Sequence, residues 1–188
     1  MSDGRHVASL RAWAPALGVA AAILVLTLGA RVVSSAVRDA PGQTVGVDGV
    51  ATIDPPDGWT EDLAARRDDD GTRTFVLTKG SAVVAVTVIV DAGVDLPTLA
   101  AAYDDGVLDA RFLELAKTDP QPVSVGGLPG VRTIYVGRTS SRTDVEGVVT
   151  VAVGPGGAGL VIDGAAPEGL LASVAEDLEA MAEGARIA

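Results

Sequence analysis

The chain has 188 residues, with 14 Lys and Arg against 25 Asp and Glu and no cysteine. That length holds one domain of ordinary size plus an appendage. The missing cysteine excludes disulfides, thiolate metal sites, a thiol nucleophile and a lipidated N-terminal cysteine. Charge is unevenly spread: Arg5, Arg11, Arg31 and Arg38 against Asp3 and Asp39 give the first forty residues a small positive excess, which leaves 10 cations and 23 acids in the remainder. Such an acidic body repels phosphate backbones and anionic headgroups, which argues against nucleic acid as a partner and leaves only an apolar segment to hold the chain at a bilayer.

Residues 1–12 read as a short tail. Trp13 to Ala30 then runs without a charge, and Val32 and Val33 beyond Arg31 extend it to the roughly 20 residues that an α-helix needs to cross the hydrocarbon core. Trp13 suits the headgroup boundary, Pro15 sits in the first turn where its missing N–H costs little, and Arg31 can snorkel to the far interface. A single transmembrane helix over residues 13–33 is expected, with the lipid bilayer as its partner. The competing reading is a cleaved secretory signal with a cut after Ala36 in Ser34-Ser35-Ala36; the length of the apolar run favours the anchor. Two arginines flank the span on each side, so charge does not orient it. With a short leading tail the default expectation is a domain outside the cytoplasm, in a single-pass protein of the cell membrane.

Residues 34–45, small and polar with a Pro-Gly pair, read as a linker to a domain over 46–188. Period-two runs follow: Val47 to Ile53, Thr72 to Thr78, Val83 to Val90, Val131 to Arg138, Val148 to Val153 and Leu160 to Ile162 each predict a strand. The run AVVAVTVIV is apolar on both faces, the mark of a central strand covered on both sides. Lys79-Gly80-Ser81 predicts the hairpin turn before it. Helices are expected from Leu96 to Leu115, capped by Asp95 with Pro97 just inside, and from Pro167 to Glu183, where Leu170, Leu171, Val174, Leu178 and Met181 form one face. This order gives an α+β fold: a mainly antiparallel sheet of about six strands with two covering helices, preceded by one transmembrane helix.

No catalytic, cofactor or metal residue is assigned. Gly154, Gly156 and Gly159 match the dinucleotide-binding spacing, but the strand AGLVID follows where a helix is required, so a hairpin turn is expected. Asp68-Asp69-Asp70-Gly71 offers carboxylates for a hard cation, yet Arg66 and Leu77 occupy the first and last ligand positions of a calcium loop, and a solvated turn is the better reading. His6, the single histidine, lies across the apolar span from the domain, leaving Ser140 and Ser141 without a base. Asp54 with Asp57, and Asp104 with Asp105, are carboxylate pairs of the kind chance supplies in so acidic a chain; the second pair belongs on the wet side of the first helix.

Two stretches carry a resemblance. Ile53-Asp54-Pro55-Pro56-Asp57-Gly58-Trp59 places P-x-x-W after a strand. Val123 to Arg132, VSVGGLPGVR, is followed by Tyr135. Together they resemble the PsbP-like superfamily, which includes LpqN-like envelope proteins and DcrB-like lipoproteins, with matching element order from about Val45 to Ala185. The resemblance implies an antiparallel sheet with helices on its faces, acting as a non-catalytic interaction or assembly module of the envelope with a protein partner. Trp59 and Tyr135 are expected as core anchors, and Pro56 and Pro129-Gly130 as turns. The chain departs from the lipoproteins in carrying a helix where they carry a lipidated cysteine. Two alternatives stand beside this reading: a carrier or sensor for a small apolar ligand, with a pocket between sheet and first helix beside Trp59, and a carboxylate-dependent hydrolase.

Overall fold

All eight residues of Ala82–Ile89 are buried, and alternation sends them to two separate cores. Val83, Ala85 and Ile89 enter one, and Val84, Val86 and Val88 the other. A strand apolar on both sides has to lie inside a sheet covered on both sides, as the sequence predicts. The computed structural model describes residues 37–39 and 44–188. The expected membrane span at 13–33 lies outside the described residues, and no described helix is long and apolar enough to cross a membrane.

The strands, in chain order, are β1 (Val37–Asp39), β2 (Val45–Val47), β3 (Ala51–Ile53), β4 (Thr60–Asp62), β5 (Arg67–Asp69), β6 (Thr72–Lys79), β7 (Ala82–Ile89), β8 (Phe112–Lys117), β9 (Gln121–Val125), β10 (Leu128–Thr139), β11 (Asp144–Val153), β12 (Gly159–Pro167) and β13 (Arg186–Ile187). Ten of them form one antiparallel sheet in the order β1-β4-β6-β7-β12-β11-β10-β8, with β5 paired to β6 and β9 to β10. A three-stranded sheet, β13-β3-β2, stands apart from it.

Helix α1 starts at Leu96–Tyr103, continues through a π-helical turn at Asp104–Leu108 and ends in one α turn at Asp109–Arg111. Asp95 caps it by accepting from the Thr98 N–H at 3.0 Å, as the sequence predicts. This helix covers one face of the large sheet. Helix α2 (Ala175–Glu183) and the small sheet cover the other, where Trp59, Leu178, Met181, Val45 and Ile53 share a core.

Six features differ from expectation, the first being that Pro129-Gly130, read as a turn, lies within β10 and pairs with Ser124 and Val123, the turn falling at Gly126-Gly127 instead. The predicted strand Val47 to Ile53 is a hairpin, β2 and β3, because Asp48-Gly49 turns the chain with Gly49 at φ +73°. Helix α1 stops at Arg111 instead of Leu115: Phe112 takes φ −113°, ψ 144°, and β8 pairs with β10. Pro167 belongs to β12 instead of opening a helix, since it pairs with Val145; after a turn at Gly169 and a 3-10 turn at Leu171–Ser173 the helix begins at Ala175, leaving Leu170 46% exposed. The sheet also has more strands than the six read from periodicity. The added ones are mostly three to six residues long, too short to display a period. Within the stretch read as linker, residues 37–39 pair with β4.

The hairpin turns at Lys79-Gly80-Ser81 and Gly154 to Gly159 stand where the sequence places them. The second joins two antiparallel strands, with the Gly154 N–H donating to the Ala158 carbonyl at 2.8 Å, so no helix end faces the glycines.

Candidate functional site

Strand β12 reads GLVIDGAAP, apolar except for one aspartate. Alternation puts Asp163 on the α1 face between Val161 and Ala165, and it is fully buried. A carboxylate there without partners would cost several kcal/mol. Its partners come from two other elements. Asp163 Oδ2 accepts from the Tyr103 hydroxyl and from Arg111 Nη1, both at 2.7 Å; Oδ1 accepts from the Tyr135 hydroxyl at 2.8 Å. Arg111 Nη2 donates to the same Tyr135 oxygen at 2.6 Å, which closes a ring of Asp163, Arg111 and Tyr135, with Tyr103 attached to it through Asp163. The guanidinium lies over the Phe112 and Tyr135 rings, at 4.6 and 5.1 Å from their centroids.

The π-helical turn makes this convergence work. Tyr103 and Arg111 are eight positions apart, which in an α-helix of 3.6 residues per turn leaves them about 80° out of line. The i→i+5 turn between them absorbs one residue and swings both onto the Asp163 face. On the sheet side, Tyr135 sits opposite Gly147 in the β10–β11 ladder, and a Cβ at Gly147 would overlap the phenol ring. Gly137 makes the same allowance for the Phe112 ring.

Burial, followed by the Asp163 charge, raises the Tyr103 pKa well above its ordinary value; burial does the same for Tyr135, with Arg111 partly opposing. Burial works against the Arg111 charge, but Asp163 and the two tyrosines together outweigh it and hold the guanidinium protonated. The network is therefore a fixed ion pair with two neutral phenols. It positions the helix on the sheet.

Above the network, α1 and the sheet leave a groove of about 290 Å³. Pro97, Ala100 and Ala101 form its helix wall; Val131, Val149 and Val151 form its floor; Tyr103 closes one end, and Asp104 and Asp105 stand at the lip. Asp104 is half-buried and bridged by Lys117 at 3.0 Å, whereas Asp105 faces solvent. The groove lies between sheet and first helix as the ligand-carrier alternative requires, but not beside Trp59. That residue belongs to the opposite core, fully buried, with its indole N–H donating to Asp177 at 2.9 Å.

The other sequence candidates do not converge. Asp54 accepts from the Thr44 hydroxyl at 2.8 Å and pairs with Arg186; the Thr44 bond leads in holding its pKa low. Asp57 uses its backbone carbonyl to receive Lys79. Asp68 pairs with Arg73 at 3.1 Å beside the β5–β6 turn. Ser140 and Ser141 lie in the β10–β11 turn, where the Ser141 hydroxyl bonds Thr139. Among the described residues no three His, Asp or Glu side chains gather as a metal site. Tyr135 is the core anchor that the sequence predicts. Sequence reasoning passed over Arg111 and Asp163, although a lone acid in an apolar strand was the available signal.

A sheet covered by a helix on one face and by a second helix with a small sheet on the other is the PsbP-like α+β fold. Among solved structures, the chain is similar to cyanobacterial PsbP (CyanoP) from Synechocystis, at 11% identity and a TM-score of 0.55 over 85% of this chain and 96% of that one. It is similar to the Ran-binding protein Mog1p of Saccharomyces cerevisiae, at 14% identity and 0.53 over 77% and 94%. It also matches LpqN of Mycobacterium tuberculosis, described as involved in cell envelope biogenesis, at 15% identity and 0.48 over 77% and 88%. No protein-family model matches the sequence, and no curated protein sequence does.

Proposed function

We propose that the chain is a membrane-anchored, extracytoplasmic binding module that acts without catalysis on a protein partner in the cell envelope. The observation that carries the binding part is the preformed groove beside α1, whose helix wall is pinned to the sheet by the Asp163 network. A site on rigid elements loses little freedom on binding. Supporting it, Mog1p, with a similar fold, binds a protein. The anchor rests on the uncharged run from Trp13 to Ala30.

A small apolar ligand is the second reading, favoured by the apolar floor of the same groove. At about 290 Å³ the volume stands at the lower end of ligand pockets, which begin near about 300 Å³. One large side chain suits it better than a lipid or cofactor.

Carbonate extraction of native membranes, protease protection of intact cells and chemical crosslinking test the proposal together. Retention in the membrane, digestion of the domain from outside and a reproducible protein adduct are expected. Release by carbonate, or a protected domain, would remove the topology. Crosslinking that yields no protein above background would remove the binding role.

A further inference from the structure

The groove has a charge as well as a shape. Asp95, Asp104, Asp105, Asp109 and Asp119 lie on α1, at its cap or in the loop beyond β8. The cations on those elements are already engaged: Arg111 is buried on Asp163, and Lys117 bridges Asp104 at 3.0 Å and Asp109 at 3.1 Å. Asp95 is committed to the helix cap. Asp105, exposed at the lip, and Asp119, exposed next to the lining residue Pro120, remain for a partner. The walls below them are apolar.

We propose that the groove recognises a protein segment in which one large apolar side chain, Leu, Met, Phe or Trp, stands within two positions of a Lys or Arg. This rests on the binding-module reading and names its partner chemistry. The apolar side chain enters between Ala101 and Val149, removing apolar surface from water on both partners, while the cation reaches Asp105. An apolar side chain flanked by acids meets uncompensated carboxylates at the same lip, so the groove discriminates by repulsion as well as by fit. The π-helical turn serves this too, because Asp104 and Asp105 occupy its first two positions and stand where the helix wall ends.

The test uses the full chain in its native membranes with a photoreactive benzoylphenylalanine in place of Ala101 on the groove wall. A second chain carries the probe at Val90, 45% exposed and outside the groove. Adducts are digested and sequenced with and without Asp105→Lys, an exposed change whose melting temperature is measured in parallel. The expected result is an Ala101 adduct on a segment with Leu, Met, Phe or Trp within two positions of Lys or Arg, in yield reduced about tenfold by Asp105→Lys at unchanged melting temperature. An adduct on an acidic or uncharged segment, an adduct only on lipid or a small molecule, or a yield indifferent to Asp105→Lys overturns the inference. If Val90 captures a protein and Ala101 does not, the groove assignment fails while the binding module stands. If neither captures one, the module fails as well.

Discussion

The two faces of the large sheet hold their covering helices by different physics. Under α2 the core is apolar: Trp59, Leu77, Ile162 and Met181 are each at most 2% exposed, and the polar contacts Trp59–Asp177 and Lys79–Asp177 are only partly buried. Under α1 a charged ring occupies the centre and a groove stays open beside it. Burying a large apolar side chain contributes about 1.5–3 kcal/mol without specifying direction. Hydrogen bonds fix direction but have to offset desolvation first. The closed face can therefore supply stability. The face that leaves apolar surface uncovered needs directed bonds to keep its helix from sliding into the space.

Breaking the ring has the largest expected effect. Asp163→Ala leaves the Arg111 charge buried and unpaired and is expected to cost about 3–5 kcal/mol in urea unfolding of the full chain in detergent. A midpoint like that of the parent chain would mean the ring does not hold α1. The ring also sets an alkaline limit. Both tyrosines of the chain donate to its carboxylate, and their folded pKa values stand above the unfolded value of about 10. Their contribution is complete below that pH and is lost as pH rises toward the folded values, because the unfolded chain releases those protons first. Tyrosinate absorbance is thus expected to appear only with unfolding; a titration near pH 10 with intact circular dichroism would contradict it.

On the closed face, Met181→Ala is expected to cost about 2–4 kcal/mol through the cavity it opens, with the groove unaffected. Gly147→Ala returns to the other face: its methyl would push Tyr135 away from Asp163, for a loss of about 1–3 kcal/mol together with weaker binding in the groove. Smallest is Lys79→Met, about 0.5–1 kcal/mol, because the Lys79–Asp177 pair, 2.6 Å long, is about a third exposed on the lysine side. If Met181→Ala weakened groove binding as much as Gly147→Ala does, the two faces would be one cooperative unit.

Legibility in the sequence followed element length and the reach of each interaction. Strands β6, β7, β10 and β11 are eight to twelve residues long and announced themselves by alternation. Strands β2 and β3 have three residues each around Asp48-Gly49 and merged into one. The end of α1 was ambiguous because Leu108, Phe112 and Leu115 fit a helical stripe, while Phe112 and Glu114 also fit a strand pairing with β10. The groove was foreseen as a place between sheet and first helix, but was assigned to Trp59, since nothing local says which face a tryptophan joins.

The sequence by itself determined the doubly buried strand, read as Val83 to Val90 and ending one residue earlier at Ile89 with Val90 exposed, the Asp95 cap, the hairpin glycine turns and the acidic character of the domain, because each follows from neighbours in the chain or from composition. Only the tertiary structure decided that Asp163, 52 residues from Arg111, would be its counter-ion. It also decided that a π-helical turn would align Tyr103 with Arg111, and that the resulting lock would leave an open groove instead of a filled core. The reason is physical: a buried charge is tolerated only where three separate elements meet around it, and no local pattern along the chain encodes where those elements meet.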